Sequence, residues 1–194
     1  MFENCDPRRE RAAEVNRTVS AINANRPRYE TAAREAKVPW HFVALVHCME
    51  AGLKFDRHLH NGDPLTARTV RIPAGRPLTG EPPFPWEASA ADALRLRKLD
   101  KWADWSLAGT LFQLEGYNGW GYRLRKPSTV SPYLWSYSGH YSKGKFTGDG
   151  KFDAEAISLQ CGAAVLLREL VRRGAVTLAP PASEASRPGP VRGG

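Results

Sequence analysis

The sequence predicts a mainly α-helical chain with a small β-hairpin region beside a helix whose last turn holds Glu50. Three observations carry this. Apolar residues recur at helical spacing in several stretches, most clearly Phe42, Leu45, Val46 and Met49. Helix stop signals, Gly52 and Gly174, stand where two of these stretches end. Period-two character is confined to T-A-R-T-V-R-I at 66–72, with Val70 and Ile72 on one side and Thr69 and Arg71 on the other.

In chain order, 8–24 reads as an amphipathic helix with Val15, Val19 and Ile22 on one face, followed after Arg26 by a short helix from Pro27 to Ala36. Together 8–36 are expected to dock on the main body. Pro39 suits the first turn of the next helix, 39–51. Residues 73–85 hold five prolines and two glycines and read as a surface loop. Helices are then expected over 86–99 and over 101–115, the latter capped by Asp100. From Gly116 to Tyr141 the chain is dense in aromatics and glycine, as if folded against the body with rings exposed along a groove. Asp153 is placed as the cap of a last helix, 154–173, whose G-A-A-V-L-L centre marks it as the central buried helix. The 194 residues fit one domain, 1–178, with a Pro/Gly-rich disordered tail over 179–194.

The charge balance, 28 Lys and Arg against 20 Asp and Glu, gives +8 and points to an anionic polymer as partner. Six Trp and six Tyr supply flat amphipathic rings suited to a binding cleft. Three widely spaced cysteines argue for synthesis in a reducing compartment rather than for a disulfide framework. The first residues lack the apolar core of a signal peptide, and no apolar run has membrane-spanning length. Cytoplasmic synthesis without stable membrane insertion is the expectation, and a monomer is expected.

Glu50 is the candidate that organises the rest. It falls at the edge of the apolar stripe and in the last turn of its helix, where the negative helix end and partial burial both disfavour the carboxylate. A raised pKa is the direction a general acid needs. A general acid commonly works with a second carboxylate, as base or nucleophile. Asp63, after the Asn61-Gly62 turn, is the preferred candidate over Asp56, with stabilisation of its own turn as the equal alternative.

Met49–Phe55, M-E-A-G-L-K-F, resembles the E-S-G-F-type motif of soluble lytic transglycosylases and goose-type lysozymes, with Ala51 in place of the Ser. Glu115–Gly121, E-G-Y-N-G-W-G, resembles the A-Y-N-x-G motif of the same superfamily. With H-L-H-N-G-D-P-L at 58–65 and S-P-Y-L-W-S at 131–136, these stretches are also similar to phage and bacterial lysozyme family proteins. The resemblance spans 41–170 in outline. It implies a lysozyme-like fold and cleavage of the peptidoglycan glycan strand, as muramidase or lytic transglycosylase, with Glu50 as catalytic acid and Tyr117 and Asn118 beside it. Thr66 would complete the Glu, Asp, Thr order of phage-type lysozymes. Trp120, Trp135, Tyr137 and His60 are expected to contact the saccharide. The implied setting is an endolysin of phage or prophage origin that reaches the wall after release or delivery.

Two rivals arise from the residues. His47 with Glu50 forms H-x-x-E, and His58 with His60 forms H-x-H, a set that could hold zinc in a peptidase of wall peptides. Basic charge with aromatics could instead stack on single-stranded nucleic acid or serve a non-catalytic wall-binding module. The glycosidase reading expects no cofactor, no metal and no nucleic-acid partner.

Overall fold

A computed structural model describes residues 1–148 and 150–180. Eight α-helices lie among them: α1 (Ala12–Ala24), α2 (Arg26–Ala36), α3 (Trp40–Ala51), α4 (Trp86–Leu96), α5 (Leu107–Asn118), α6 (Gly121–Arg125), α7 (Pro132–Trp135) and α8 (Ala163–Arg172). The sheet is a single antiparallel pair, β1 (Lys145–Gly148) and β2 (Lys151–Asp153), with Phe146 facing Phe152. None of these helices is long and apolar enough to cross a membrane.

The first three helices follow from local signals, and the fourth starts at Trp86 as expected but ends at Leu96 rather than Leu99. Val15, Val19 and Ile22 are fully buried on α1. Pro27 sits in the first turn of α2, where its missing N–H costs nothing. Pro39 precedes α3, and Gly52 ends it in the left-handed conformation (φ 57°) that a residue without Cβ adopts freely.

The centre of the molecule differs from expectation. Every residue of α3 from His41 to Met49 is buried, so α3 is the central helix, with α2, α5 and α8 packed around it. Helix α8 is shorter than its apolar pattern suggested and amphipathic, with Ala163–Leu167 and Leu170 inside and Arg172 and Arg173 outside. Asp153 caps no helix. Its Oδ1 accepts from the N–H groups of Glu155 and Ala156 in a turn, and 154–162 runs without helix across the body. Gly162 permits this course, since a Cβ there would collide with the Leu134 carbonyl.

Two further expectations are corrected. Residues 66–72 form no strand, and Val70 and Ile72 are 80% and 92% exposed. The N–H groups of Val70 and Arg71 donate instead to the Asp63 carboxylate, so the chain spends its ladder donors on a side chain. The hairpin of the fold is β1–β2, far along the chain from α3. Helix α5 begins at Leu107, not 101, because Ser106 is its cap and accepts from Gly109 N–H at 3.3 Å. Asp100 falls in a 3-10 turn, Leu99–Lys101, that ends in extended chain. Of the expected tail, Ala179 bridges to Ser106, and 181–194 lie outside the described residues.

Candidate active site

Helix α3 brings Glu50 to the surface. After nine buried residues it is the first exposed one, so its backbone is anchored by the core where the helix reaches the surface, while protein still crowds its carboxyl. The helix end is held from several sides. Gly52 N–H donates to Cys48 O at 3.1 Å, and the Gln160 side-chain amide donates to Cys48 O (3.2 Å) and Met49 O (2.7 Å). These partners satisfy carbonyls that a helix terminus otherwise leaves unpaired. Leu53 continues the turn in a second left-handed conformation (φ 62°), strained for a residue with a Cβ. Such strain persists only where surrounding structure imposes it, and here it lies three residues from Glu50.

Two side chains act on the carboxyl. The Tyr133 hydroxyl, from α7, donates to Glu50 Oε1 at 2.9 Å. Arg97, at the end of α4, brings its positive charge to bear on Glu50 and lies over the Tyr117 ring, 3.8 Å from its centroid. Its Nη1 also donates to the Tyr117 carbonyl at 3.0 Å, which ties α4 to α5. The Glu50 pKa is raised: crowding by protein disfavours the charged form and outweighs the Tyr133 hydrogen bond and the Arg97 charge, both of which lower it. Burial likewise raises the phenols of Tyr117 and Tyr133, so both stay protonated, and that of Tyr133 serves as the donor to Glu50.

Asp63 is engaged elsewhere. Its carboxylate accepts from Val70 N–H (2.9 Å), Arg71 N–H (3.1 Å) and Arg71 Nε (2.6 Å). The backbone N–H of Arg71 heads the interactions that hold its pKa down to about 2, followed by Val70 N–H and the Arg71 side chain. The side chain therefore braces residues 70 and 71 rather than its own turn, which is held instead by Asn61 Oδ1 accepting from Asp63 N–H at 3.0 Å.

The histidines are occupied singly. His47 is fully buried, its Nδ1 3.1 Å from the Tyr29 hydroxyl and its Nε2 3.0 Å from the Lys54 carbonyl. Burial lowers its pKa to about 4. His58 bridges Ser89 Oγ (2.7 Å) and the Ala67 carbonyl (2.8 Å). His60 pairs through Nε2 with Asp92 at 2.8 Å, its side chain wholly out of solvent. Among the described residues no group of three or more His, Cys, Asp or Glu side chains could hold a metal ion, so the zinc set suggested by H-x-x-E and H-x-H does not assemble there.

The aromatic residues expected in one cleft are dispersed. Tyr117 lies with Arg97 and Glu50. Asn118, exposed at the end of α5, borders a cavity of about 230 Å³ with Tyr122 and Phe146. Trp120 packs on Phe112 (4.7 Å between ring centroids), and Trp135 lines a groove on α5. Tyr137 is buried, with its hydroxyl 2.8 Å from Glu14 Oε1 and 2.6 Å from the Leu159 carbonyl. Thr66 is exposed. Sequence reasoning missed Arg97, Gln160 and the role of Tyr133. Tyr133 stands inside the S-P-Y-L-W-S stretch, but nothing local distinguishes it from its aromatic neighbours.

No protein-family model matches the chain, and no curated protein or solved structure matches it either.

Proposed function

We propose that this protein cleaves the glycan strand of peptidoglycan, as a muramidase or lytic transglycosylase of lysozyme-like type, with Glu50 as general acid. The observation that carries the reading is the Glu50 carboxyl itself: at the surface end of a buried helix, crowded enough by protein to be raised in pKa, and bonded by Tyr133. Oε1 accepts from Tyr133, so the acidic proton belongs on Oε2, where it can pass to a glycosidic oxygen. The carboxylate left behind would be met by the Tyr133 hydroxyl and the Arg97 charge, both favouring the ionised form. The pair thus stabilises the acid more after proton transfer than before it. That is the differential stabilisation catalysis requires.

Tyr117, stacked under Arg97 beside Glu50, is the expected sugar contact that stands nearest this chemistry. Asp63 serves the reading as the anchor of the 69–71 turn. The chain's +8 charge suits an anionic wall polymer. Delivery to the wall from the cytoplasm, by a phage-type route, belongs to the same proposal.

Glu50→Gln keeps the side chain's shape and removes its proton. Incubated with purified cell walls, the variant should lose about a hundredfold or more of the lytic rate. Mass spectrometry of the wild-type products then names the reaction: reducing sugar ends mark hydrolysis and anhydro ends mark transglycosylation. Undiminished clearing by Glu50→Gln, or release of free peptides alone, overturns the proposal.

A further inference from the structure

The groove that Trp135 lines is not part of the Glu50 cluster. It has a volume of about 650 Å³ and runs between α5 and the 123–135 segment, walled by Leu111, Phe112, Glu115, Arg123, Ser131 and Trp135 among others. Glu115 and Tyr117 are two residues apart on α5, so their side chains point about 200° apart around the helix axis. Tyr117 faces Arg97 and the surroundings of Glu50, whereas Glu115 faces this groove. The volume lies within the range of sites that take small molecules.

The wall mixes polar side chains, Glu115, Arg123, Thr129 and Ser131, with apolar ones. Glu115 is 6% exposed, and its Oε2 accepts from Arg123 Nε at 2.7 Å. Ser131 is 4% exposed, and its hydroxyl has no hydrogen-bond partner among the described residues. A buried hydroxyl left so costs free energy unless something else engages it, and a serine hydroxyl turns freely about its bond to do so. The Glu115–Arg123 pair is neutral as a unit, which disfavours an ionic ligand of either sign, yet it offers an acceptor and several donors side by side. Ligands with vicinal hydroxyls use both.

The rings continue past the groove. Phe112, 41% exposed, stacks on Trp102 with planes 13° apart and centroids 5.7 Å apart, and lies tilted against Trp120 with centroids 4.7 Å apart. Arg123 extends over the Trp120 ring at 5.6 Å. A row of rings beside a neutral pair of hydrogen-bonding groups fits a chain of sugar units, each with an apolar C–H face and polar edges.

We propose that this groove on the outer face of α5 is a saccharide-binding site for a neutral oligosaccharide, separate from the Glu50 carboxyl and without a catalytic role. It does not rest on Glu50 being an acid. The test uses the full chain carrying Glu50→Gln and 5-fluorotryptophan, with a soluble N-acetylglucosamine hexamer as probe. The fluorine signals of Trp102, Trp120 and Trp135, assigned by single Trp→Phe changes, should shift on titration. Ser131→Ala and Arg123→Gln should each weaken that binding by about fivefold or more, the effect of losing one or two hydrogen bonds. Ser131→Ala removes an unpartnered buried hydroxyl, so its melting temperature should hold or rise, and lost binding there is not lost folding. The proposal is overturned if these three signals stay unmoved, or if both variants bind as the parent does. It is also overturned if an uncharged leucine-rich peptide shifts the signals and the sugar does not. Wall clearing that survives Glu50→Gln sinks the catalytic reading and leaves this one standing, so the two failures are distinguishable.

Discussion

Tyr133 donates a 2.9 Å hydrogen bond to Glu50 across 83 residues of chain. It does so from α7, a four-residue helix whose placement against α5 and α8 decides where the phenol points. The bond favours the ionised form of Glu50 against the burial that raises its pKa.

Tyr133→Phe should therefore shift Glu50 further upward. Activity that needs protonated Glu50 falls as pH rises through its pKa, so the alkaline limb of the pH–rate profile should move to higher pH in the variant. The plateau rate should drop about tenfold or more, since the conjugate base loses a charge-assisted hydrogen bond. Arg97→Gln should move the limb the same way. A limb that stays in place in both variants would show that neither group acts on Glu50.

Asp63 has a folded pKa of about 2, against 3.8 for a free aspartate. A depressed carboxylate contributes stability above the unfolded value, and that contribution is lost as pH falls from 3.8 towards 2. Asp63→Asn should lower the melting temperature at neutral pH, and the gap from wild type should close below pH 3.8. Its lytic rate per folded molecule should stay well inside the roughly hundredfold loss that removing an acid–base group causes. A full catalytic loss with an unchanged melting temperature would restore Asp63 as a reacting group.

His41 and His47 are both buried neutral, with pKa values pushed down to about 4. The unfolded chain takes up these protons from about 6.5 downwards, while the folded chain resists until about 4. Stability should fall across that window by about 3 kcal/mol for each histidine. Chemical denaturation at a series of pH values measures it. His47→Gln should flatten the slope, and an unaltered slope in that variant would assign the acid sensitivity to other groups.

Gly162→Ala should destabilise the fold by about 1–3 kcal/mol, because a methyl group would overlap the Leu134 carbonyl and push apart segments that pass in close contact. Gln160 is two residues away and holds the end of α3, so the same displacement should loosen Glu50. Urea unfolding reports the stability loss. A variant as stable as wild type would mean that the 160–162 segment adjusts without cost.

The first three helices were legible because their signals are local. Apolar residues at i, i+3 and i+4 mark the buried face, and Pro27, Pro39 and Gly52 punctuate the backbone within one turn of each boundary. The start of α5 was misplaced for an equally local reason: Asp100 and Ser106 are both good caps, and the choice fell to Gly109, which lets the Asp104 carbonyl approach where a Cβ would collide. Residues 66–72 alternate like a strand, but alternation needs a partner strand, and Asp63 claimed their donors first.

The sequence by itself determined that Glu50 ends a strongly apolar helix with a left-handed stop two residues on, because that depends on residues within a dozen positions. Tertiary structure decided everything that sets its chemistry. Arg97, Tyr117, Tyr133 and Gln160 reach the end of α3 from four separate segments, and only packing brings them there. The His-Asn-Gly-Asp turn shows the same division from the other side. Its residue types suit zinc, acid–base chemistry or turn formation alike, and the outcome was set by which partners stood within about 3 Å of each polar atom once the chain had folded.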